Sequence, residues 1–320
     1  MRAIVVTANG GPDVLDLQDV PEPEPGPGEV LVDVEAIGVN YRDVYEREGL
    51  GSYTAPTPLV AGVELAGEVA AVGEGVHGVR VGDRVATVAA RGAYAERALV
   101  DAAKTVPVPA ELSAEQAAAV LLQGMTAQYL ATATYAIQPG DWAVVHAAAG
   151  GVGLLLTQIV KARGGNVLAT TSTDEKAELA RGAGADEVVR YDEFAARAKE
   201  LSGEGAAVVY DGVGISTFLH GFDALRPRGL LVLYGAAAGA PEPLDLALLG
   251  RGSFAVTRPT LGHYTRTPEE LRSRAEAVFA WVASGVLDVR VGAVYPLAEA
   301  RRAHEELEGR RSTGKLLLLP

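Results

Sequence analysis

The chain has 320 residues, 48% hydrophobic and 22% charged, which is ordinary globular composition and enough for two domains with separate cores. Its formal net charge is −13 and it holds no cysteine, so disulfides, iron–sulfur clusters and thiolate zinc sites are excluded and a nucleic acid partner is disfavoured. Met1-Arg2-Ala3-Ile4-Val5-Val6-Thr7 is too short an apolar run for a signal peptide, and no run reaches the ~18 apolar residues that span a bilayer, so the expectation is a cytoplasmic protein without a membrane partner.

The first part reads as β-rich. Strands are expected at Ala3–Val6, Val30–Ala36, Glu64–Val72 and Arg84–Val88, and the proline run from Pro21 to Gly28 is a stiff connector. Short strands with glycine turns suggest a compact barrel or sandwich. Near residue 110 the pattern changes: Ser113 caps a helix, and a second helix is expected over Thr126–Tyr135. Strands then alternate with helices. The strands are Trp142–His146, Val167–Thr171, Glu187–Arg190, Ala207–Tyr210, Leu230–Tyr234 and Phe254–Thr257. The clearest helices are Leu154–Arg163, Asp174–Arg181 and Glu193–Leu201. That alternation implies an α/β fold with a parallel sheet covered on both faces. The tail holds a helix at Glu269–Ser284, a strand near Val289–Tyr295, a helix at Ala298–Glu308 and a last strand at Lys315–Leu319.

The most telling motif is Ala147-Ala148-Ala149-Gly150-Gly151-Val152-Gly153, directly behind the apolar run Trp142–Val145 and ahead of a helix. Strand, glycine turn and helix N-terminus together form a dinucleotide pyrophosphate site. Glycine admits close backbone approach, and the helix start offers unpaired N–H groups. In the G-x-G-x-x-G pattern the first glycine is Ala148 here, while Gly150 and Gly153 are kept. An NAD site usually carries an acid at the end of the second strand. This chain has Thr170-Thr171-Ser172, with Lys176 a turn further on, which suits a 2′-phosphate and so NADPH. Asp174 and Glu175 lie nearby and leave the sign of the local field open.

With Gly10–Leu15, Ala36–Asp43, Gly82–Val85, Gly92–Glu96, Leu122–Ala127, His146–Gly153, Tyr210–Gly214 and Val256–Pro259 taken in order, the chain resembles the zinc-independent quinone oxidoreductases of the medium-chain dehydrogenase/reductase superfamily, the zeta-crystallin-like group. The resemblance implies a Rossmann doubly wound sheet over residues 121–262 and a discontinuous GroES-like, barrel-like catalytic domain over residues 1–120 and 263–320. It implies that Asn40, Asp43 and Tyr45 lie beside the nicotinamide and that Thr126 contacts it or its ribose. Ala149, Gly150, Gly151, Val152 and Gly153 would carry the pyrophosphate. Thr171, Ser172, Lys176 and Tyr191 would hold the adenosine end and its 2′-phosphate. Tyr234 and Gly235 would close the fifth strand against the cofactor, and Lys315 would reach it from a Thr-Gly-Lys segment. Structural uses stand beside these: Asn40 as a turn cap, Thr126 as a helix cap, Tyr191 as packing.

The chain departs from the zinc-dependent relatives. Val63 stands where they place a histidine and Asn40 near a cysteine ligand, and a lone Glu64 makes no site, since three protein ligands are usual. The expectation is a metal-free enzyme. Without a Lewis acid it suits an acceptor that is already electrophilic, a quinone or similar carbonyl, with Tyr45 as the candidate proton donor. The alternatives are an enone or enoyl-thioester reductase, with Arg42, Arg47, Arg258 and Arg266 as cations for thioester phosphates, and a non-catalytic RNA-binding or crystallin-like role, which the charge disfavours. A homodimer is expected through the Rossmann edge strand at Ser253–Thr257.

Overall fold

The computed structural model describes residues 1–320, apart from the side chain of Ser52. The chain divides into two compact units, one of Met1–Leu122, Thr267–Ala283 and Val289–Pro320, the other of Gln123–Arg266 and Ser284–Asp288.

The first unit begins with β1 (Arg2–Val6), β2 (Leu15–Asp19), β3 (Glu29–Val39), α1 (Tyr41–Glu48), β4 (Leu59–Val60), β5 (Glu64–Val72), β6 (Arg84–Thr87), β7 (Arg97–Asp101) and β8 (Val106–Pro107). β3 is its spine. Val30, Val32, Ala36 and Ile37 are fully buried there, and β3 has ladder partners on both sides, β5 along one and β7 along part of the other. β1 pairs with β2 and β4 in a smaller sheet.

α2 (Ala114–Tyr129) carries the chain from one unit into the other. Ser113 and Gln116 cap it reciprocally: Gln116 N–H donates to Ser113 Oγ at 3.1 Å, and Ser113 N–H donates to Gln116 Oε1 at 3.0 Å. Two helices are expected here from the sequence, and the structure corrects this to one. Gly124 is tolerated inside a helix at a cost of about 1 kcal/mol and does not stop it. The helix ends instead in a π turn, Leu130–Thr134, closed by Tyr135 N–H on Leu130 C=O at 3.1 Å.

The second unit continues with β9 (Trp142–Val145), α3 (Gly151–Ala162), β10 (Asn166–Thr170), α4 (Asp174–Gly182), β11 (Glu187–Val189), α5 (Phe194–Ser202), β12 (Ala206–Asp211), α6 (Phe218–Ala224), β13 (Leu225–Leu233), the short α7 (Ala247–Gly250) and β14 (Ala255–Thr257). The strands are parallel and ordered β11-β10-β9-β12-β13-β14. Val144, Leu168, Val209 and Leu231 form the centre of the sheet and pack with Phe194, Phe218 and Phe222 from the helices. The order reverses between β9 and β12, and in such sheets ligands bind outside the carboxyl ends at that point.

The chain then returns to the first unit with α8 (Pro268–Ala283), β15 (Val291–Pro296), α9 (Ala300–Glu308) and β16 (Lys315–Leu319). β16 pairs antiparallel with the end of β3 and parallel with β15, so the last residues complete the first sheet.

Candidate active site

At the switch point the chain leaves β9 and turns at Ala147, whose φ of 50° is left-handed, and Gly150 N–H closes the turn on Ala147 C=O at 2.9 Å. Gly150 caps α3, which starts at Gly151, three residues ahead of the expected Leu154. The N–H groups of its first turn therefore have no intrahelical acceptor and are offered to a ligand. The glycines are fitted to the place. A Cβ on Gly153 would strike the carbonyl of Ala147 and the Cα of Ala148 (2.7 Å), and one on Gly151 would strike the Gln123 carboxamide. Ala148 replaces the usual first glycine without strain, since the left-handed position is Ala147. Ala149 is buried behind the turn.

Next to this turn lies the end of β10. Thr171 is buried, takes the β11 carbonyl of Val189 at 3.2 Å, and its Oγ1 donates to Thr173 C=O at 3.3 Å. Ser172 is exposed. Thr173 caps α4, its Oγ1 accepting from Lys176 N–H at 3.3 Å, and Lys176 is half-buried on the first turn. The Tyr191 ring stands 6.0 Å from that of His146, so this tyrosine also packs. His146 is fully buried, with Nδ1 2.9 Å from Thr170 Oγ1, and burial pushes its pKa down to about 4, so the imidazole is neutral at neutral pH.

The loops after β12 and β13 are tied to each other. Buried Asp211 accepts from Val213 N–H at 2.7 Å, Gly214 N–H at 3.0 Å and Thr217 Oγ1 at 2.8 Å, while its carbonyl accepts from Tyr234 N–H at 2.8 Å. A Cβ on Gly212 would come within 2.8 Å of the Tyr234 ring, and Gly235 backs onto the same residue. Thr126 is buried in α2 (8% exposed).

Three other expected residues come together in the first unit. Asn40 is the N-cap of α1 and Asp43 its third residue, and the Asp43 carboxylate accepts from Asn40 N–H at 2.9 Å. The Asn40 carboxamide is occupied at both ends. Nδ2 donates to Glu64 Oε2 at 2.8 Å and Gly38 C=O at 3.1 Å, while Oδ1 accepts from Lys315 Nζ at 2.7 Å. Lys315 also reaches Glu64 Oε2 at 2.6 Å, and Glu64 Oε1 accepts from Leu122 N–H at 2.7 Å. Lys315 is therefore buried, with its ammonium committed to Asn40 and Glu64. Tyr45 is half-buried on α1, its ring 5.5 Å from that of Tyr53.

Sequence reasoning missed the rest of this network. Tyr94 OH donates to Asp43 Oδ2 at 3.0 Å and lies 3.1 Å from His304 Nε2, whose Nδ1 lies 3.0 Å from Arg47 Nη1. A guanidinium only donates, so Nδ1 accepts, Nε2 carries the proton, and the chain of bonds runs from Arg47 to Asp43 in one direction. Burial, then the charge of Arg47, pushes the His304 pKa down to about 3, and burial pushes that of Asp43 up to about 7. Asp43 Oδ1 is buried without a partner among the described residues. Arg47, one of four arginines named as cations for the thioester alternative, is buried: it is 1% exposed and bonded to Gly10 C=O, Glu48 and Glu308. Its arginine type gave no sign of this.

A Rossmann sheet with this loop set, preceded by a GroES-like barrel, defines a medium-chain dehydrogenase/reductase. The alcohol dehydrogenase GroES-like domain model matches residues 26–110, and the zinc-binding dehydrogenase model matches residues 151–279. A quinone oxidoreductase of Pseudomonas aeruginosa is 46% identical, covering 100% of this chain and 99% of that protein. A 2-haloacrylate reductase of a Burkholderia species is 39% identical over 100% of this chain and 99% of its own. The crystal structure of Escherichia coli quinone oxidoreductase complexed with NADPH superposes with a TM-score of 0.96 at 41% identity, covering 100% of both chains. The chain belongs to the quinone oxidoreductases of this superfamily.

The zinc in the name of one matching model does not fit these residues. Glu64 is committed to an ammonium, a carboxamide and a backbone N–H, and its neighbours at the ligand positions are Val63 and Asn40. Among the described residues no group of three or more His, Cys, Asp or Glu side chains is placed to hold a metal.

Proposed function

We propose that the protein reduces a quinone at the expense of NADPH, without a metal. The observation that carries this is the glycine turn into α3, shaped so closely that backbone leaves no room for a Cβ at Gly153, beside a β10 end that offers hydroxyls and a lysine instead of an acid. The relatives support the cofactor and the acceptor class.

In this reading residues 1–120 with 263–320 are the catalytic domain and residues 121–262 the nucleotide domain. Ala149, Gly150, Gly151, Val152 and Gly153 hold the pyrophosphate through backbone N–H groups. Thr171, Ser172, Lys176 and Tyr191 take the adenosine end, and Thr126, Tyr234 and Gly235 position the nicotinamide end. NADPH, when bound, supplies the hydride. The protein contributes position and orientation, worth far more than a weak acid would be for an acceptor already electrophilic. Asn40 and Asp43 act as the rigid floor of the catalytic part, Lys315 fixes Asn40, and Tyr45 is the donor of a proton to the reduced acceptor. The second reading, reduction of an activated carbon–carbon double bond, is favoured by the 2-haloacrylate reductase relative. Burial of Arg47 weakens its thioester form.

The test is NADPH oxidation with 9,10-phenanthrenequinone and, in parallel, with a conjugated enone. A higher kcat/KM for the quinone supports the first reading, and turnover of the enone alone overturns it. The exposed edge of β14 is the proposed surface for a homodimer, since pairing two such edges satisfies their backbone groups. Among the described residues no helix is long and apolar enough to cross a membrane.

A further inference from the structure

One arginine beside the adenosine end of the proposed cofactor site has no assigned role. β10 and β11 are in register at Thr170 and Val189, and Thr171 N–H bonds to Val189 C=O. Arg190, the next residue, therefore leaves the sheet alongside the Thr171-Ser172 end of β10. Its Nη2 donates to Asp174 Oδ1 at 2.5 Å, in the first turn of α4, one turn that also holds Lys176. Its backbone N–H donates to Glu193 Oε2 at 3.1 Å. Its Nη1 is buried and has no acceptor among the described residues.

A guanidinium half-satisfied in this way is informative. A buried donor without an acceptor is destabilising, and native proteins keep few of them. The Asp174 side chain is 96% exposed, so that ion pair is weak and does not saturate the fork, and it places the guanidinium beside the first turn of α4. The Arg190 side chain is 41% exposed, and an anionic acceptor at the end of β10 would complete its fork. A ribose 2′-phosphate carries about −1.5 to −2 charges and three acceptor oxygens at neutral pH, and a 2′-hydroxyl carries neither.

We infer that Arg190 is a further 2′-phosphate contact and sets the preference for NADPH over NADH, an inference that rests on the NADPH reading above. Asp174 is then the residue that positions the fork, and Lys176 adds a point charge on the same turn. Of the acids around this end, Asp174 is ion-paired with the Arg190 guanidinium and Glu193 is held by the Arg190 backbone N–H, which leaves Nη1 for the phosphate.

The experiment uses the full chain and its Arg190→Gln and Arg190→Lys variants, with steady-state kinetics on NADPH and NADH and competitive inhibition by 2′-AMP and 5′-AMP. In Arg190→Gln the KM for NADPH and the inhibition constant for 2′-AMP rise by about tenfold to a hundredfold, the loss expected for a charge-assisted bond to phosphate. The KM for NADH, the constant for 5′-AMP and kcat at saturating NADPH stay within about twofold, and Arg190→Lys recovers part of the loss. Retained NADH turnover also shows that the variant is folded. Equal losses with both cofactors, or an unchanged NADPH KM in an enzyme that prefers NADPH, overturn this role for Arg190 alone. A wild-type enzyme that uses NADH as well as NADPH overturns both this inference and the NADPH reading.

Discussion

The ammonium of Lys315 lies 2.6 Å from Oε2 of Glu64, and the two side chains are 1% and 0% exposed. Lys315 is on β16 and Glu64 on β5, with β3 between them, so the pair spans three strands. It can do so because the intervening residue is Gly38. A Cβ there would meet the Glu64 carboxyl carbon at 2.7 Å and the Ala118 carbonyl at 2.8 Å. Removing one member of a buried pair strands the other charge, at a cost of about 3–5 kcal/mol. Lys315→Met should lose that much in urea unfolding, and Lys315→Met combined with Glu64→Gln should regain most of it. A loss in the double variant as large as in the single one would show that packing, not charge, is what Lys315 supplies.

Gly153→Ala tests the fit of the turn. The added methyl has only backbone to meet, at Ala147 and Ala148, and backbone cannot rotate aside. NADPH affinity should fall by more than about tenfold, because the N–H groups of the first turn of α3 must shift. Isothermal titration measures it, and an unchanged Kd would mean that the turn does not carry the pyrophosphate.

Stability against pH should reveal Asp43. Its folded pKa of about 7 lies above the ordinary 3.8, so the folded state holds this proton more tightly than the unfolded chain does. The stability it contributes is present below about pH 4 and is lost as pH rises to about 7. His146 and His304, held down to about 4 and about 3, act in the opposite sense, and the stability they contribute is present above 6.5 and lost in acid. Asp43→Asn removes only the first effect. The variant should gain on the wild type by up to about 1.4 kcal/mol per pH unit across the interval from 4 to 7, with parallel curves above it. Parallel urea midpoints throughout would mean that Asp43 is ionised at ordinary cost.

Much of the nucleotide half was legible in the sequence. Val144, Leu168 and Val209 sit in apolar runs separated by amphipathic helices, and the glycine turn stands where a strand meets a helix. α1 was not legible. Tyr41–Glu48 has no apolar stripe, and its buried residues are Asp43, Val44 and Arg47. Two of those three are charged, and a sequence reading assigns charged residues to solvent. Arg47 is held by Gly10, His304 and Glu308, which lie 37, 257 and 261 residues away. No local pattern can announce partners so distant. Asn40 and Lys315 were picked out through family resemblance, yet their direct bond, across 275 residues, and the part of Glu64 in it come from the tertiary structure.

The edge of β14 predicts association. Size-exclusion chromatography with light scattering at micromolar concentration should give twice the 33.1 kDa of one chain. A monomer mass at that concentration would remove the proposed edge pairing.

The central claim is NADPH-dependent quinone reduction, and it is met most directly by following nicotinamide absorbance with 1,4-benzoquinone, NADPH and NADH being compared at equal concentration. Rapid oxidation of NADPH with NADH far slower is the predicted result. Failure to bind or oxidise either cofactor would contradict the account at its root, the turn from β9 into α3.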